Sequence, residues 1–331
     1  MVGDDLTALL GATTEDPRVR LALDVYRLDP PVVAADDDEE EPDWYVWRPS
    51  ARAGVEFGFQ DPAHLNGSDP SQRGRDPLVL SSVCFYGAHD GVDPHSGQFP
   101  LGLTREDGRE TIRRKIEPLG GTYRAHVRDT WDLQDRRIIV AYGRSGDVLG
   151  SVLVRLPLRP WPEVVDPSVV PGPRRIIDLF GQVWYSAAVK QAFGSFELIG
   201  CGPDIALHRY ANLRRTAGME LLFSPDASRP AGSPLRRKGA VFSGIRMYAS
   251  RYQDALAWPG ELPFGLTFDE SFPTLLKKMG RKPDAGDDGD LTGFGLWHEH
   301  GVSLHVLYDN VNNAVLCVSL LRPGHWIGAA G

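Results

Sequence analysis

The sequence is poor in cysteine. Cys84, Cys201 and Cys317 are too few and too scattered for a disulfide framework or a zinc site. Cys84 and Cys317 sit inside strand-like runs, where a thiol acts as a small buried hydrophobe. No apolar run approaches the roughly 18 residues that span a bilayer. The opening Met-Val-Gly-Asp-Asp has no basic region followed by an apolar stretch, so a signal peptide is not expected and the compartment is read as cytoplasmic. Catalytic signatures are missing too: no phosphate-cradling glycine loop, no nucleophile elbow and no paired cysteine motif. Ser145 and Ser243 lie near glycines but read as hairpin or strand residues. The expectation is a protein that is not an enzyme and needs no cofactor or metal.

What is present is the composition of a globular chain. Of 331 residues, 42% are hydrophobic and 24% charged, enough to bury a full core. That length suggests two domains of about 150 residues each. The net charge of −8 is concentrated at one end: residues 1–50 hold 13 acids and 4 bases, leaving 31 acids and 32 bases for the other 281. Most of the excess lies in Asp36, Asp37, Asp38, Glu39, Glu40 and Glu41. Six adjacent carboxylates repel one another and form a solvated loop, or an electrostatic arm that speeds capture of a basic protein. A nucleic-acid or membrane partner is not expected.

One phrase occurs twice. Gly97-Gln98-Phe99-Pro100-Leu101-Gly102-Leu103-Thr104 returns as Gly260-Glu261-Leu262-Pro263-Phe264-Gly265-Leu266-Thr267, and five of the eight positions are identical. Each Thr is followed three residues later by an acid, Asp107 or Glu270, a helix-start pattern in which the hydroxyl would cap a free backbone N–H. Ile112, Ile116 and Leu119 give the first of these helices an apolar face, and Leu275, Leu276 and Met279 the second. Gly54 and Gly218, then Trp131 and Trp297, and Tyr142 and Tyr308, repeat at nearly the same displacement. The chain therefore reads as a tandem duplication of about 165 residues.

Each half divides again. Residues 1–156 contain modules at 1–88 and 89–156. A linker over 157–174, with six prolines between Pro157 and Pro173, leads to 175–331, with modules at 175–250 and 251–331. The expected fold class is α+β, with four tandem repeats of a helix plus a three- or four-stranded antiparallel sheet, arranged as two duplicated halves. Leu21, Val25 and Leu28 fall at helical spacing near the start. Ile176, Phe180, Val183, Trp184 and Ala187 predict one longer helix after the linker, and Leu207–Tyr210 reads as a strand.

The repeated phrase, a capped helix, a Trp-led strand and a hairpin ending near Tyr resemble the small αβ-repeat superfamily that includes beta-lactamase inhibitor proteins and the small lipoprotein of outer-membrane assembly. The chain is most similar to cytoplasmic immunity proteins encoded beside bacterial polymorphic or type VI secretion toxins. The resemblance covers residues 97–156 and 260–320 well, and the remaining modules by strand pattern. It implies a non-enzymatic protein that binds a cognate toxin with a basic surface and blocks its active site. It departs from the lipoproteins in lacking a lipidated Cys, and from the secreted inhibitors in lacking an export signal and disulfides. A chaperone or adaptor scaffold for a secreted effector is the alternative.

The partner-binding candidates follow from exposure and chemistry. They are the acidic run Asp36–Glu41, the aromatics Trp47, Trp258 and Trp326 as exposed anchors, and His298, His300 and His305. His298 and His300 would share a strand face, with His305 on the next strand. They are read as exposed strand residues and not as metal ligands, since a zinc site wants further ligands and an ordered outer shell. A third reading makes the His298–His305 region catalytic.

Overall fold

The computed structural model describes residues 3–31, 45–68, 74, 76–87, 91–143, 148–161, 165–196, 198, 201–225 and 239–325. The fold is α+β, with two antiparallel seven-stranded sheets. The chain divides into two compact units, 1–159 and 160–331, the division falling inside the proline-rich stretch.

The N-terminal unit contains helices α1 (Gly3–Thr7), α2 (Pro17–Tyr26), α3 (Pro62–Asn66) and α4 (Arg109–Ile116). Its strands are β1 (Tyr45–Ser50), β2 (Val55–Gln60), β3 (Val79–Tyr86), β4 (Thr122–Ala125), β5 (Asp129–Asp132), β6 (Arg137–Tyr142) and β7 (Leu149–Arg155). They lie in the order β1-β2-β3-β7-β6-β5-β4. The first three strands and the last four do not form separate small sheets. Pairing of β3 with β7 joins them, with Val83 opposite Val154, and removes two open edges that short sheets would expose. Alternation sends Phe57, Phe59, Val83, Phe85, Ile138 and Val140 to one face, where they meet Leu6, Leu23, Ile112 and Ile116.

The C-terminal unit contains α5 (Pro173–Asp178), α6 (Ala187–Phe193), α7 (Gly202–His208), α8 (Arg214–Ala217) and α9 (Phe272–Met279). Its strands are β8 (Tyr210–Leu213), β9 (Met219–Ser224), β10 (Val241–Tyr248), β11 (Ala285–Asp288), β12 (Thr292–Glu299), β13 (Val302–Asp309) and β14 (Ala314–Leu321). The order β8-β9-β10-β14-β13-β12-β11 is the one the first sheet follows, counted along the chain. Leu221, Phe242, Trp297, Leu304 and Val306 pack with Ile176, Val189, Phe193 and Leu275. Cys317 joins a smaller cluster with Tyr248 and Ala255. Cys84 and Cys317 are both buried, and burial pushes each thiol up to about 12.

Several local expectations are corrected. The long helix expected at 176–187 is two short ones. Gly181 takes a left-handed φ of 83°, its N–H bonds to Phe242 O, and Val183 bridges to Val241, so the chain between α5 and α6 runs along the sheet. Leu207 belongs to helix α7, and strand β8 begins only at Tyr210. On α2, Leu21 and Val25 are 59% and 54% exposed, while Val19, Ala22 and Leu23 face the core. Leu119 lies in an exposed turn after α4.

The repeated phrase also does something other than capping. Helices α4 and α9 start later, at Arg109 and Phe272, after Gly108 and Ser271, and neither has a side-chain cap bond. The phrase instead forms a tight turn with Leu101 and Gly102, or Phe264 and Gly265, in the left-handed region. A lysine from the last turn of the following helix then clasps that turn. Lys115 Nζ donates to Gly102 O (2.8 Å) and Asp107 Oδ2 (2.6 Å), and Lys278 Nζ donates to Gly265 O (2.5 Å) and Glu270 Oε1. The acids three residues after Thr104 and Thr267 thus hold the lysine as well as the threonine: Asp107 Oδ2 also accepts the Thr104 N–H (2.8 Å), and Glu270 Oε1 accepts the Thr267 hydroxyl (3.0 Å). The clasp ties the last turn of each helix to the turn that precedes it.

Candidate binding grooves

In each unit a groove opens between the clasped helix and the strand at the end of the sheet. The two have different chemistry.

In the N-terminal unit the key group is Asp129. Strand alternation puts it on the same face as Trp131, which is in the core, so its carboxylate has no route to water. A buried carboxylate must be paired and hydrogen-bonded. Arg113 donates through Nε to Oδ2 (2.8 Å) and through Nη2 to Oδ1 (3.1 Å). Arg109 Nη2 donates to Oδ1 (3.0 Å), and the Tyr142 and Tyr123 hydroxyls donate at 2.7 and 3.2 Å. Arg109 also lies over the Tyr142 ring, 4.5 Å from its centroid. Burial alone would raise the Asp129 pKa, but the bonds from Arg113, Arg109 and Tyr142 override it and hold the carboxyl below its usual range. Tyr123 is pushed up to about 12, first by burial and then by the Asp129 charge. Beside this cage lies a cavity of ≈ 400 Å³ lined by Glu110, Arg113, Arg114, Glu117, Tyr123 and Trp131.

In the C-terminal unit the corresponding place is apolar. Trp297 pairs with Leu304 as Trp131 pairs with Ile138, and two residues before it stands Gly295 in place of an acid. Gly293 and Gly295 leave room for aromatic rings: a Cβ on Gly293 would come within 2.5 Å of the Tyr308 ring, and one on Gly295 within 2.4 Å of the Trp297 ring. Phe272, at the start of α9, stacks on Tyr308 with centroids 4.4 Å apart. The Tyr308 hydroxyl donates to Asp288 Oδ1 and Asp287 O, both at 3.3 Å, and Asn310 Nδ2 donates to Asp288 Oδ1 at 2.8 Å. Burial, reinforced by Asp288, raises the Tyr308 pKa. The cavity here is ≈ 490 Å³, with Phe272, Leu276 and Tyr308 on its apolar side, Gly286 and Asp288 on the edge strand and Pro283 just before it.

The residues singled out from sequence do not converge. Asp36, Asp37, Asp38, Glu39, Glu40, Glu41 and Trp326 lie outside the described residues. Trp47 is 41% exposed on end strand β1, its ring 4.5 Å from that of Tyr45. Trp258 is only 4% exposed, which corrects its reading as a surface anchor. After β10 the chain turns back, Trp258 N bonds to Tyr248 O, and the indole Nε1 donates to Glu261 O, so the ring fills the core.

His300 is not on a strand. With Gly301 it forms the two-residue hairpin turn after β12, and both have positive φ (47° and 79°), the mirror-type turn that a right-twisted hairpin demands. It therefore does not share a strand face with His298. His298 bonds to Ser303 through Nδ1 (2.9 Å), and His305 packs its ring against Phe294 (5.4 Å) on the same sheet face. Burial, then Arg246, lowers the His305 pKa to about 4. No group of three or more His, Cys, Asp or Glu side chains able to hold a metal occurs among the described residues.

Sequence reasoning missed the Asp129 cage. One signal could have found it: an acid two residues before a core tryptophan on a strand lies on the core face and needs cations, which Arg109 and Arg113 supply one turn apart on the preceding helix. It also missed β11, since Ala-Gly-Asp-Asp has neither alternation nor strand propensity.

Among the described residues no helix is long and apolar enough to cross a membrane. No family model matches the chain, and no curated protein matches it. A solved structure from Thermobifida fusca described as a thioesterase II aligns at 11% identity over 74% of this chain and 94% of that one, with a TM-score of 0.14, a value that carries no argument.

Proposed function

We propose that this chain is a cytoplasmic, non-enzymatic immunity or inhibitor protein that binds a cognate bacterial toxin with a basic surface and occludes its active site. The observation that carries the reading is Trp47. A tryptophan left 41% exposed on the end strand of a sheet, six residues after an unbroken run of six acids, combines a large apolar anchor with an anionic approach. Exposed aromatics supply most of the binding energy in protein interfaces, and adjacent charge raises the rate of encounter. With it goes the proposal that the chain is a tandem duplication of two helix-plus-hairpin pairs, supported by the shared strand order and the recurrent lysine clasp.

The test is co-expression with the toxin encoded beside this protein. Protection of the cell, and its loss in Trp47→Ala with the fold intact, are expected. An effector that is delivered better but still kills the cell would replace the inhibitor with a chaperone or adaptor.

A further inference from the structure

The strand at the far end of the second sheet is unusually open. Among the described residues β11 pairs only with β12, and all four of its residues are exposed. Chains usually protect such an edge with lysine, proline or a bulge, because its free N–H and C=O groups are a template for another strand. Here the edge is acidic: residues 281–290 hold Arg281 and Lys282 against Asp284, Asp287, Asp288 and Asp290. Arg281 is already committed to Asp284 (2.7 and 3.0 Å) and Glu299 (2.6 Å). The carboxylates of Asp287 and Asp290 make no hydrogen bond or ion pair among the described residues. Alongside this edge runs the apolar groove of ≈ 490 Å³, with Phe272 on Tyr308 and with Leu276. Gly286 lines this groove, where a Cβ would lie 2.7 Å from Phe294 O.

We propose that this edge and groove together accept an extended basic segment of a protein partner. The segment adds as an eighth strand beside β11 and places one large apolar side chain in the groove over Phe272. Main-chain bonds along the edge supply affinity, and the groove selects the side chain. Because successive residues of a strand point to opposite faces, the neighbours of the inserted residue face the side of Asp287, so the favoured pattern is cation, large apolar, cation. The inference names a surface for the protein partner proposed above, yet it is tested without that partner.

The probe is the capped peptide Thr-Lys-Trp-Lys-Thr, titrated into the full chain and followed by backbone amide NMR. Saturable shifts confined to 272–276 and 285–288 are expected. Replacing either the Trp by Ala or both Lys by Glu should weaken binding at least about tenfold. The protein variant Asp287→Lys/Asp290→Lys should do the same at two exposed positions, with its melting curve confirming the fold. Two N-methylated peptides, blocking alternate N–H groups, separate strand addition from simple groove filling: one should lose binding and the other keep it.

No saturation by about 1 mM, shifts centred elsewhere, equal behaviour of the two N-methylated forms, or self-association of the chain through β11 would each overturn the proposal. A peptide that binds as described in a chain that protects no cell leaves the groove standing and removes the inhibitor reading. Full protection by the Asp287→Lys/Asp290→Lys variant shows instead that the toxin is held on another surface.

Discussion

Replacing Asp129 by Asn tests the energetics of the N-terminal groove most directly. The change keeps the shape but removes the charge that two arginines and two tyrosines surround. A hydrogen bond to a charged group contributes about 1.5–3 kcal/mol, and breaking one side of a buried ion pair costs about 3–5 kcal/mol. Arg109 and Arg113 each keep 31% side-chain exposure, so both can regain some water. The loss should therefore be lower, about 2–4 kcal/mol, or roughly 5–15 °C in the melting of the N-terminal unit.

Urea unfolding monitored in that unit measures it. The double variant R113M/D129N should be less destabilised than the sum of its parts, because one orphaned cation is removed with the anion. The sign with pH is fixed as well. The Asp129 pKa is depressed in the folded state, so its contribution is fully present above the unfolded value of about 3.9 and disappears as pH falls through the folded value. The gap between parent and D129N should narrow below about pH 4. A loss under about 0.5 kcal/mol at neutral pH, or a gap that widens in acid, would refute the account of the cage.

Three further outcomes are expected. Trp258→Ala should cost about 3–5 kcal/mol while Trp47→Ala stays within about 0.5 kcal/mol, a contrast read from paired unfolding curves. Lys278→Met should lower stability by about 1–3 kcal/mol by freeing a largely buried Glu270 carboxylate and the Gly265 carbonyl, and hydrogen exchange should rise first in α9. The His305 ring should titrate near pH 4 by NMR, and its burial should make the chain less stable as pH falls from about 6.5 towards 4, since the unfolded state then binds the extra proton. A His305 midpoint at 6 or above would contradict its burial.

How far the sequence can be read is clearest at particular residues. Alternation and period made the strand runs around Phe57, Val83, Ile138, Val306 and Val318 legible, together with the helices carrying Ile112 and Leu275, because core burial follows directly from where apolar side chains recur. The twofold phrase around Pro100 and Pro263 announced the two clasped helices, although they begin later, at Arg109 and Phe272, and its chemistry was read incompletely. A Thr followed by an acid is a local pattern, and the lysine that claims that acid lies eight residues further on.

The sequence by itself determined the α+β class, the placement of most elements and the recurrence of the two phrases, all of which rest on local patterning. Tertiary structure alone decided what needs partners distant in sequence. The pairing of β3 with β7 and of β10 with β14 made two seven-stranded sheets from short pieces, since each removed edges that no local signal describes. Trp258 went to the core while Trp47 stayed at an edge, because burial depends on what folds over a residue as well as on its type. The same placement of helix against end strand gave one groove a caged carboxylate and the other a stacked Phe and Tyr, a difference that becomes visible only once Asp129 and Gly295 are seen to occupy matching positions.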